Sequence, residues 1–556
     1  MATAVRVDAD VVAACTLSSA QSLPGELAVP SGQVRFEPLV ANPVRPDDPL
    51  MLAPVQVRSV TDVSSLVPIG GDDAARVAAA HGVELKSPIL PRAVTDSITR
   101  MLSCPLGREW REATPGELER IASLLRADYP NLAFRCLSEE EAVASLPRDT
   151  SPGIPWTTGY AGRRYRQKAE LLDGERMGAA LRGAVEETLV WYESRPHGAG
   201  VEDVPGPGVV VPVVVHDKAK DECLKPSKVA PRCISIMPAH QNVIGVMLLG
   251  DFAAKLTEAA GPSQVGISPF SLDWARLHER LGDEWDDLDI AAQDKSMAMY
   301  VEQGVHHFIV GCYAGDDAVD LAGTGVRRDA RRCLAAHLAS VERNWHIAGG
   351  RMYYKRCGGE SGDRLTAERN GLTVVFVVRA VVAEEMVRRG ASPDAAVEAA
   401  RKVVLAVYGD DMGCGRRLSD GKPRPVSAVD IMAGAARYNY TVTWAAKDRM
   451  GDPTYHGPAP GEAEFLQRKF RVVEFEGRRC VLAPLRLQSI LTTVAHRRKG
   501  DAGPAYLSRC STALLEAAAH GPDVYAEVAA LVRGNLAALG LRYSVHGVTC
   551  DVPAAT

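Results

Sequence analysis

The sequence predicts an α+β protein organised around an antiparallel sheet, and three observations carry that prediction. Val403-Val404-Leu405-Ala406-Val407-Tyr408-Gly409-Asp410-Asp411-Met412-Gly413 is a β-branched apolar run closed by a glycine, which reads as a buried strand entering a hairpin. Trp285 to Asp289 and Tyr440 to Trp444 read as two further short strands. Helical patterns stand between them and dominate from Ser489 onward.

The remaining elements follow in chain order. Residues 1 to about 90 are rich in Pro, Val and small residues without a helical period, and read as an irregular extension. Leu118, Ile121, Leu124 and Leu125 space a helix over Pro115 to Arg126, and Thr150-Ser151-Pro152-Gly153-Ile154-Pro155-Trp156 is a turn that no helix continues through. Helical patterns are expected over 166–194, a strand over Val209 to Val215 with Pro212 favouring an edge, and a helix over Ala239 to Leu256. Asp289 falls at a strand end and Asp294 at the helix start beyond it, with helices expected over 296–313 and 327–346. A glycine-rich bend, Cys357 to Asp363, then leads into a long run to Arg389 that reads as a helix buried on most sides, stopped by Gly390. Ser392-Pro393 starts another helix, Ser427 to Tyr438 a further one, and Phe465 to Val473 suggests a hairpin.

Composition bounds the function classes. The 556 residues suffice for several subdomains around more than one core. No apolar run reaches the ~18 residues a membrane span needs, Arg379 interrupting the longest candidate, and the N-terminus lacks a secretory pattern. The twelve cysteines show no zinc spacing and read as reduced thiols. A net charge of −5 excludes a uniformly basic surface, yet Arg163-Arg164-Tyr165-Arg166 and the series Lys218, Lys220, Lys225, Lys228, Arg232 are locally basic. Each of these alone reads as a solvated face.

Adjacent carboxylates at a strand end repel one another unless a hard cation neutralises them, which makes Asp410 and Asp411 a candidate cation site. The tripeptide alone is weak, because Gly315-Asp316-Asp317 repeats it. Order decides between them. The chain presents in sequence a turn, a basic loop, Asp289-x4-Asp294, Ser361-Gly362-x3-Thr366-x3-Asn370, Tyr408-Gly409-Asp410-Asp411, a segment with Lys447, and Phe465-Leu466-x-Arg468-x-Phe470. This series resembles the ordered motifs of viral RNA-dependent RNA polymerases, most closely those of picornaviruses and their relatives, over roughly residues 150 to 475. The copy at 315–317 precedes the Ser-Gly segment and falls outside that order.

The resemblance implies a right-hand polymerase: an N-terminal extension joining the fingers (1–90), fingers (91–280), a palm with an antiparallel sheet (281–475, about 301–350 being a helical fingers insertion) and a helical thumb (476–556). It implies RNA-templated RNA synthesis from nucleoside triphosphates, an in-line transfer in which two Mg²⁺ or Mn²⁺ ions ~4 Å apart stabilise attacking and leaving oxygens. Asp289, Asp410 and Asp411 are then the metal ligands and catalytic acids, with Lys447 protonating the departing pyrophosphate. Asp294, Ser361, Thr366 and Asn370 match ribose-reading positions, and Lys220, Lys228 and Arg232 the basic loop that meets the triphosphate. Many relatives carry Gly-Lys shortly before that arginine, whereas this chain has Ala230-Pro231 and a shorter spacing. Ser151, Gly153, Arg163, Arg164, Gly362 and Arg468 are the candidate RNA contacts.

The implied partners are template and product RNA, nucleoside triphosphates, and a protein primer or other viral replication proteins, in the host cytoplasm. Two rivals share parts of this pattern: a reverse transcriptase, against which the Asp294 and Asn370 pair argues, and a non-catalytic RNA-binding protein with a polymerase fold. A metal-dependent phosphohydrolase would have no use for the ribose-reading set.

Overall fold

The computed structural model describes residues 5–6, 66–88, 111–157, 163–194, 210–211, 214–225, 228, 231–348, 351–355, 358–445, 455–499, 503–541, 543–545 and 548–550. Beyond a short pairing of Val5–Arg6 with Val210–Val211, strand β1 (Leu66–Pro68) and helix α1 (Asp73–Ala80) precede α2 (Pro115–Asp128). Helix α2 starts on a capping box in which Thr114 and Glu117 satisfy each other's backbone N–H groups, with Pro115 in the first turn. The helix expected from 166 begins only at α3 (Ala179–Ser194), because Gly174-Glu175 forms the turn of a small hairpin between Leu172–Asp173 and Arg176–Met177, Gly174 at φ +63°.

Strands β2 (Val214–Ala219) and β3 (Cys233–Ile236), helices α4 (Ala239–Glu258) and α5 (Leu272–Leu281), strand β4 (Trp285–Ile290) and helices α6 (Met299–Gly311) and α7 (Ala330–Glu342) follow. The helix expected to reach 346 stops at 342, and Asn344 to Ala348 forms β5 instead, paired with β6 (Arg351–Lys355). Beyond the bend lie α8 (Thr366–Arg388) and α9 (Pro393–Lys402), the hairpin β7 (Val403–Tyr408) and β8 (Asp411–Leu418), α10 (Ala428–Ala435) and β9 (Val442–Trp444). The chain continues through β10 (Arg471–Phe475), β11 (Arg478–Leu482), α11 (Leu487–Ala495), β12 (His496–Arg498), α12 (Pro504–Ala518) and α13 (Pro522–Ala538).

Two four-stranded sheets position the site. One is antiparallel throughout, in the order β7-β8-β4-β9; the other runs β6-β5-β2-β3, with β5 and β2 parallel. Both faces of the first sheet are covered, and its residues alternate accordingly. Leu405, Val407, Leu288 and Met412 join the large core with α2, α4, α6 and α8, while Ala406 and Trp285 pack behind the sheet on Trp274, Leu277 and Phe465.

Helix α8 is buried nearly all round from Glu368 to Ala383, and Arg379 inside it is ion-paired to Asp128 at 2.8 Å. Among the described residues no helix is long and apolar enough to cross a membrane. Cys136, Cys223, Cys233, Cys312, Cys333, Cys414, Cys480 and Cys510 are free thiols.

Packing crosses two of the expected domain borders and ties the N-terminal extension to more than one region. A border at 280 cuts α5, whose Trp274, Leu277 and Leu281 belong to the core behind the sheet. A border at 476 falls in the turn between the paired strands β10 and β11, where Phe475 faces Arg478. The N-terminal extension packs its Ile69, Ala74 and Ala78 into the core of α11, α12 and α13, while its Val5–Arg6 pairs with Val210–Val211 and its Ser87–Pro88 with Cys223–Leu224 of the basic loop.

Candidate active site

The acidic centre follows from strand register. β4 and β8 are neighbours, with Asp289 directly opposite Asp411, so the two side chains share a face. The two-residue link Gly409-Asp410 joins β7 to β8, Gly409 taking φ +63° as so short a link requires. The three carboxylates thus come from two adjacent strand ends. Asp411 is pushed up to about 7, first by burial and then by the charges on Asp410 and Asp289, against a hydrogen bond donated by Leu466 N–H at 2.8 Å. Asp287, two residues before Asp289 and on the same face, is pushed up to about 6, chiefly by burial, and accepts from Glu464 N–H at 3.1 Å. Three hard oxygen donors that repel one another fit a divalent cation.

The segment that serves these acids is itself strained. Phe465 and Arg468 exchange two backbone hydrogen bonds of 2.9 Å around Leu466 and Gln467, whose φ values are +54° and +60°. Non-glycine residues there cost roughly 1 kcal/mol each, and the tight turn aims Leu466 N–H at Asp411.

Lys220 and Arg232 stand side by side where the paired strands β2 and β3 end and begin. Arg232 is exposed and held by Glu222 at 2.6 Å, and Glu222 first and Asp410 further favour its protonated form, which places it in the field of the acidic centre. Lys220 is half-buried, its ammonium lowered by burial and by Arg232, and its N–H binds the Arg232 carbonyl at 2.7 Å; Lys228 is exposed. Two glycines press against β3 and the residue just beyond it. A Cβ on Gly362 would lie 2.1 Å from Ser235 O, and one on Gly153, at φ +70°, 2.7 Å from Met237 O. Ser361 Oγ accepts from Ser235 N–H at 2.7 Å. Ser151 is exposed and accepts from Gly153 N–H, and Arg163 and Arg164 are exposed nearby in sequence, Arg163 over the Tyr165 ring.

Of the ribose-reading set, Thr366 is half-buried and its hydroxyl binds the carbonyls of Glu360 and Asp363. Asn370 is buried, with its amide oxygen lacking a hydrogen-bond partner among the described residues. The one-turn helix Gln293–Ser296 carries Asp294 and docks on Asn370 through Gln293, whose amide donates to the Asn370 carbonyl at 2.8 Å. The Asp294 side chain and Lys447 lie outside the described residues.

Arg468, expected to contact RNA, is engaged within the protein: its guanidinium grips Glu516 of α12 with two bonds of 2.6 Å, also binds the Ala483 carbonyl, and is only 12% exposed.

Sequence reasoning missed a buried charged group beside the bend. Asp217, His346 and Glu360 have potential ligand atoms within 4.8 Å of one another. His346 meets Asp217 through Nδ1 at 2.7 Å and Glu360 through Nε2 at 2.9 Å. With both ring nitrogens turned to carboxylate oxygens, the arrangement is that of an imidazolium clamped by two acids, not of a metal centre. A lone histidine in Asn344-Trp345-His346 carries no sequence signal for it.

An antiparallel sheet with three acids at adjacent strand ends, together with the basic residues around Arg232 and a serine-glycine bend, defines a right-hand polymerase. The sequence profile of the viral RNA-dependent RNA polymerase family matches residues 129–534, and the chain belongs to that family. It is 26% identical over 326 residues to the RNA1 polyprotein of Tomato ringspot virus (isolate raspberry), which covers 56% of this chain and 14% of that protein. It is likewise 26% identical over 425 residues to the RNA1 polyprotein of Grapevine fanleaf virus, covering 74% of this chain and 17% of that protein. The match thus spans about a seventh to a sixth of these two polyproteins. Among solved structures, the Sicinivirus 3Dpol RNA dependent RNA polymerase superposes with a TM-score of 0.66 at 16% identity, covering 88% of this chain and 95% of that one, which is a likeness of fold.

Proposed function

We infer that this chain copies an RNA template into RNA from nucleoside triphosphates, replicating and transcribing a positive-strand viral genome and releasing pyrophosphate. The observation that carries the reading is Asp289 facing Asp411 across β4 and β8 with Asp410 at the hairpin tip, within a chain of this family. Asp289, Asp410 and Asp411 would hold two Mg²⁺ or Mn²⁺ ions, which when bound supply positive charge to the attacking and leaving oxygens.

The chain's own groups do the positioning. Arg232 sits between Glu222 and the acidic centre, so an incoming triphosphate competes with Glu222 for the guanidinium, with Lys220 and Lys228 adding to the local field. Asp294, Ser361, Thr366 and Asn370 read the ribose, and Lys447 protonates the departing pyrophosphate. Ser151, Gly153, Arg163, Arg164 and Gly362 line the RNA path. We place the start of the palm ahead of α5 and the start of the thumb after β11. Template and product RNA are the partners, with a protein primer or other replication proteins joining them in the host cytoplasm.

Primer extension on an RNA template with Mg²⁺ tests the reading. Ribonucleotide-dependent extension that drops on the order of a thousandfold in Asp410→Ala is the expected result. Extension with deoxyribonucleotides alone moves the reading to reverse transcription, and RNA binding without extension to a non-catalytic binding protein.

A further inference from the structure

Five residues close a ring around the serine-glycine bend. The Glu360 carboxylate meets His346 at 2.9 Å, His346 meets Asp217 at 2.7 Å, Asp217 accepts from the Ser235 hydroxyl at 2.7 Å, and Ser235 N–H returns to Ser361 Oγ at 2.7 Å. Ser361 follows Glu360 in the chain, so the circuit is complete. Its members come from β2, β3, β5 and the bend that opens α8. Asp217, His346 and Glu360 are no more than 2% exposed. In such a place an imidazole flanked by two carboxylates is matched only when both nitrogens carry protons, because a neutral ring donates on one side and leaves the other acid facing a lone pair.

The consequence concerns geometry at the active site. β3 begins immediately after Arg232, and Gly362 lies so close to Ser235 that not even a methyl group fits between them. The ring therefore fixes the bend carrying Ser361, Gly362 and Thr366 against the strand that presents Arg232. We propose that His346 is a positioning residue for nucleotide selection, holding Glu360 and thereby the ribose-reading bend in register with the triphosphate-reading arginine. The proposal rests on the polymerase reading above.

Primer extension with matched ribo- and deoxyribonucleoside triphosphates gives sugar discrimination as a ratio of kcat/KM values. His346→Gln keeps a donor toward one acid but turns an oxygen to the other. Its ratio is expected to fall about tenfold, mainly through a raised KM for the ribonucleotide, while filter binding gives the parent's RNA affinity. Ser235→Ala removes one link without removing a charge; it is expected to shift the ratio the same way by a smaller factor, and it decides the matter if His346→Gln does not fold. An unchanged ratio in the folded variants overturns the proposal, as does a fall in kcat equal for both sugars, the mark of a general structural defect. A parent that extends no primer, or whose extension survives Asp410→Ala, overturns the polymerase reading itself and the inference with it.

Discussion

At Gly362 the side chain is excluded by distance alone: a methyl would lie 2.1 Å from a backbone oxygen that a strand holds in place. Gly362→Ala must push the bend off β3, and a loss of about 1–3 kcal/mol in thermal unfolding is expected together with impaired ribonucleotide addition. Gly390→Ala is the contrasting case, with φ +93° but open space around the missing Cβ, so its cost is conformational and leaves addition unchanged. At His346, burial alone would lower the imidazole, but the Asp217 and Glu360 carboxylates overcome it and hold the group up at about 9. A group raised in the folded state stabilises fully below its ordinary value of 6.5 and loses that contribution as pH climbs through about 9. The parent's Tm should consequently fall more steeply between pH 7 and pH 10 than that of His346→Gln, and parallel slopes would show the ring to be uncharged. Asp289, Asp410 and Asp411 were legible as candidates through the order of the motifs along the chain, since the tripeptide alone also occurs at Gly315-Asp316-Asp317. His346 was not, since its partners lie 129 and 14 residues away and only the parallel pairing of β5 with β2 and the fold of the bend bring them to it.

Among the elements, the strained turn at 465–468 shows what sequence period leaves out. Order along the chain placed a hairpin near Phe465 to Val473, and β10 and β11 lie just beyond, at 471–475 and 478–482. The direction of Arg468 was not legible, because its partner Glu516 sits on α12, 48 residues on, and an arginine in a basic stretch reads as a phosphate contact until packing is known. As a buried staple, the pair predicts a specific mutational pattern. Arg468→Met alone leaves Glu516 unpaired and should cost about 3 kcal/mol, whereas adding Glu516→Leu should restore most of that loss. RNA affinity and its salt dependence, measured by filter titration, should stay those of the parent in the double variant. A shallower salt slope would return Arg468 to the RNA. The same contrast explains the misjudged helix ends: Leu172–Asp173 and Asn344 to Ala348 adopt strand because a neighbouring strand accepts them, which no local period encodes.

For the molecule as a whole, the N-terminal segment determines how the C-terminal helices relate to the basic loop. β1 pairs with β12, Ile69 N–H binds the Ala495 carbonyl at 2.9 Å, and α1 lays Ala74 and Ala78 into the core of α11 to α13. A few residues later Ser87–Pro88 pairs with Cys223–Leu224, next to Glu222, the partner of Arg232. One short stretch of chain therefore spans from the helices that would form the thumb to the loop that would meet the triphosphate. Small residues at Ala74 and Ala78, 3% and 1% exposed, allow the close approach. Ala78→Glu forces a charge into that apolar contact, which the structure can relieve only by lifting α1 from the helices. On the proposed reading a single nucleotide addition draws on the acidic centre and the basic residues around Arg232, whereas repeated addition needs the helices, which α1 packs on, and the fingers to stay around the RNA. Ala78→Glu is thus expected to shorten the products of a long template severalfold under single-binding conditions while leaving the first addition within about twofold of the parent. Equal losses in both measurements would mean that the segment supports the fold in general; unchanged product length would mean that the helices hold the RNA without it.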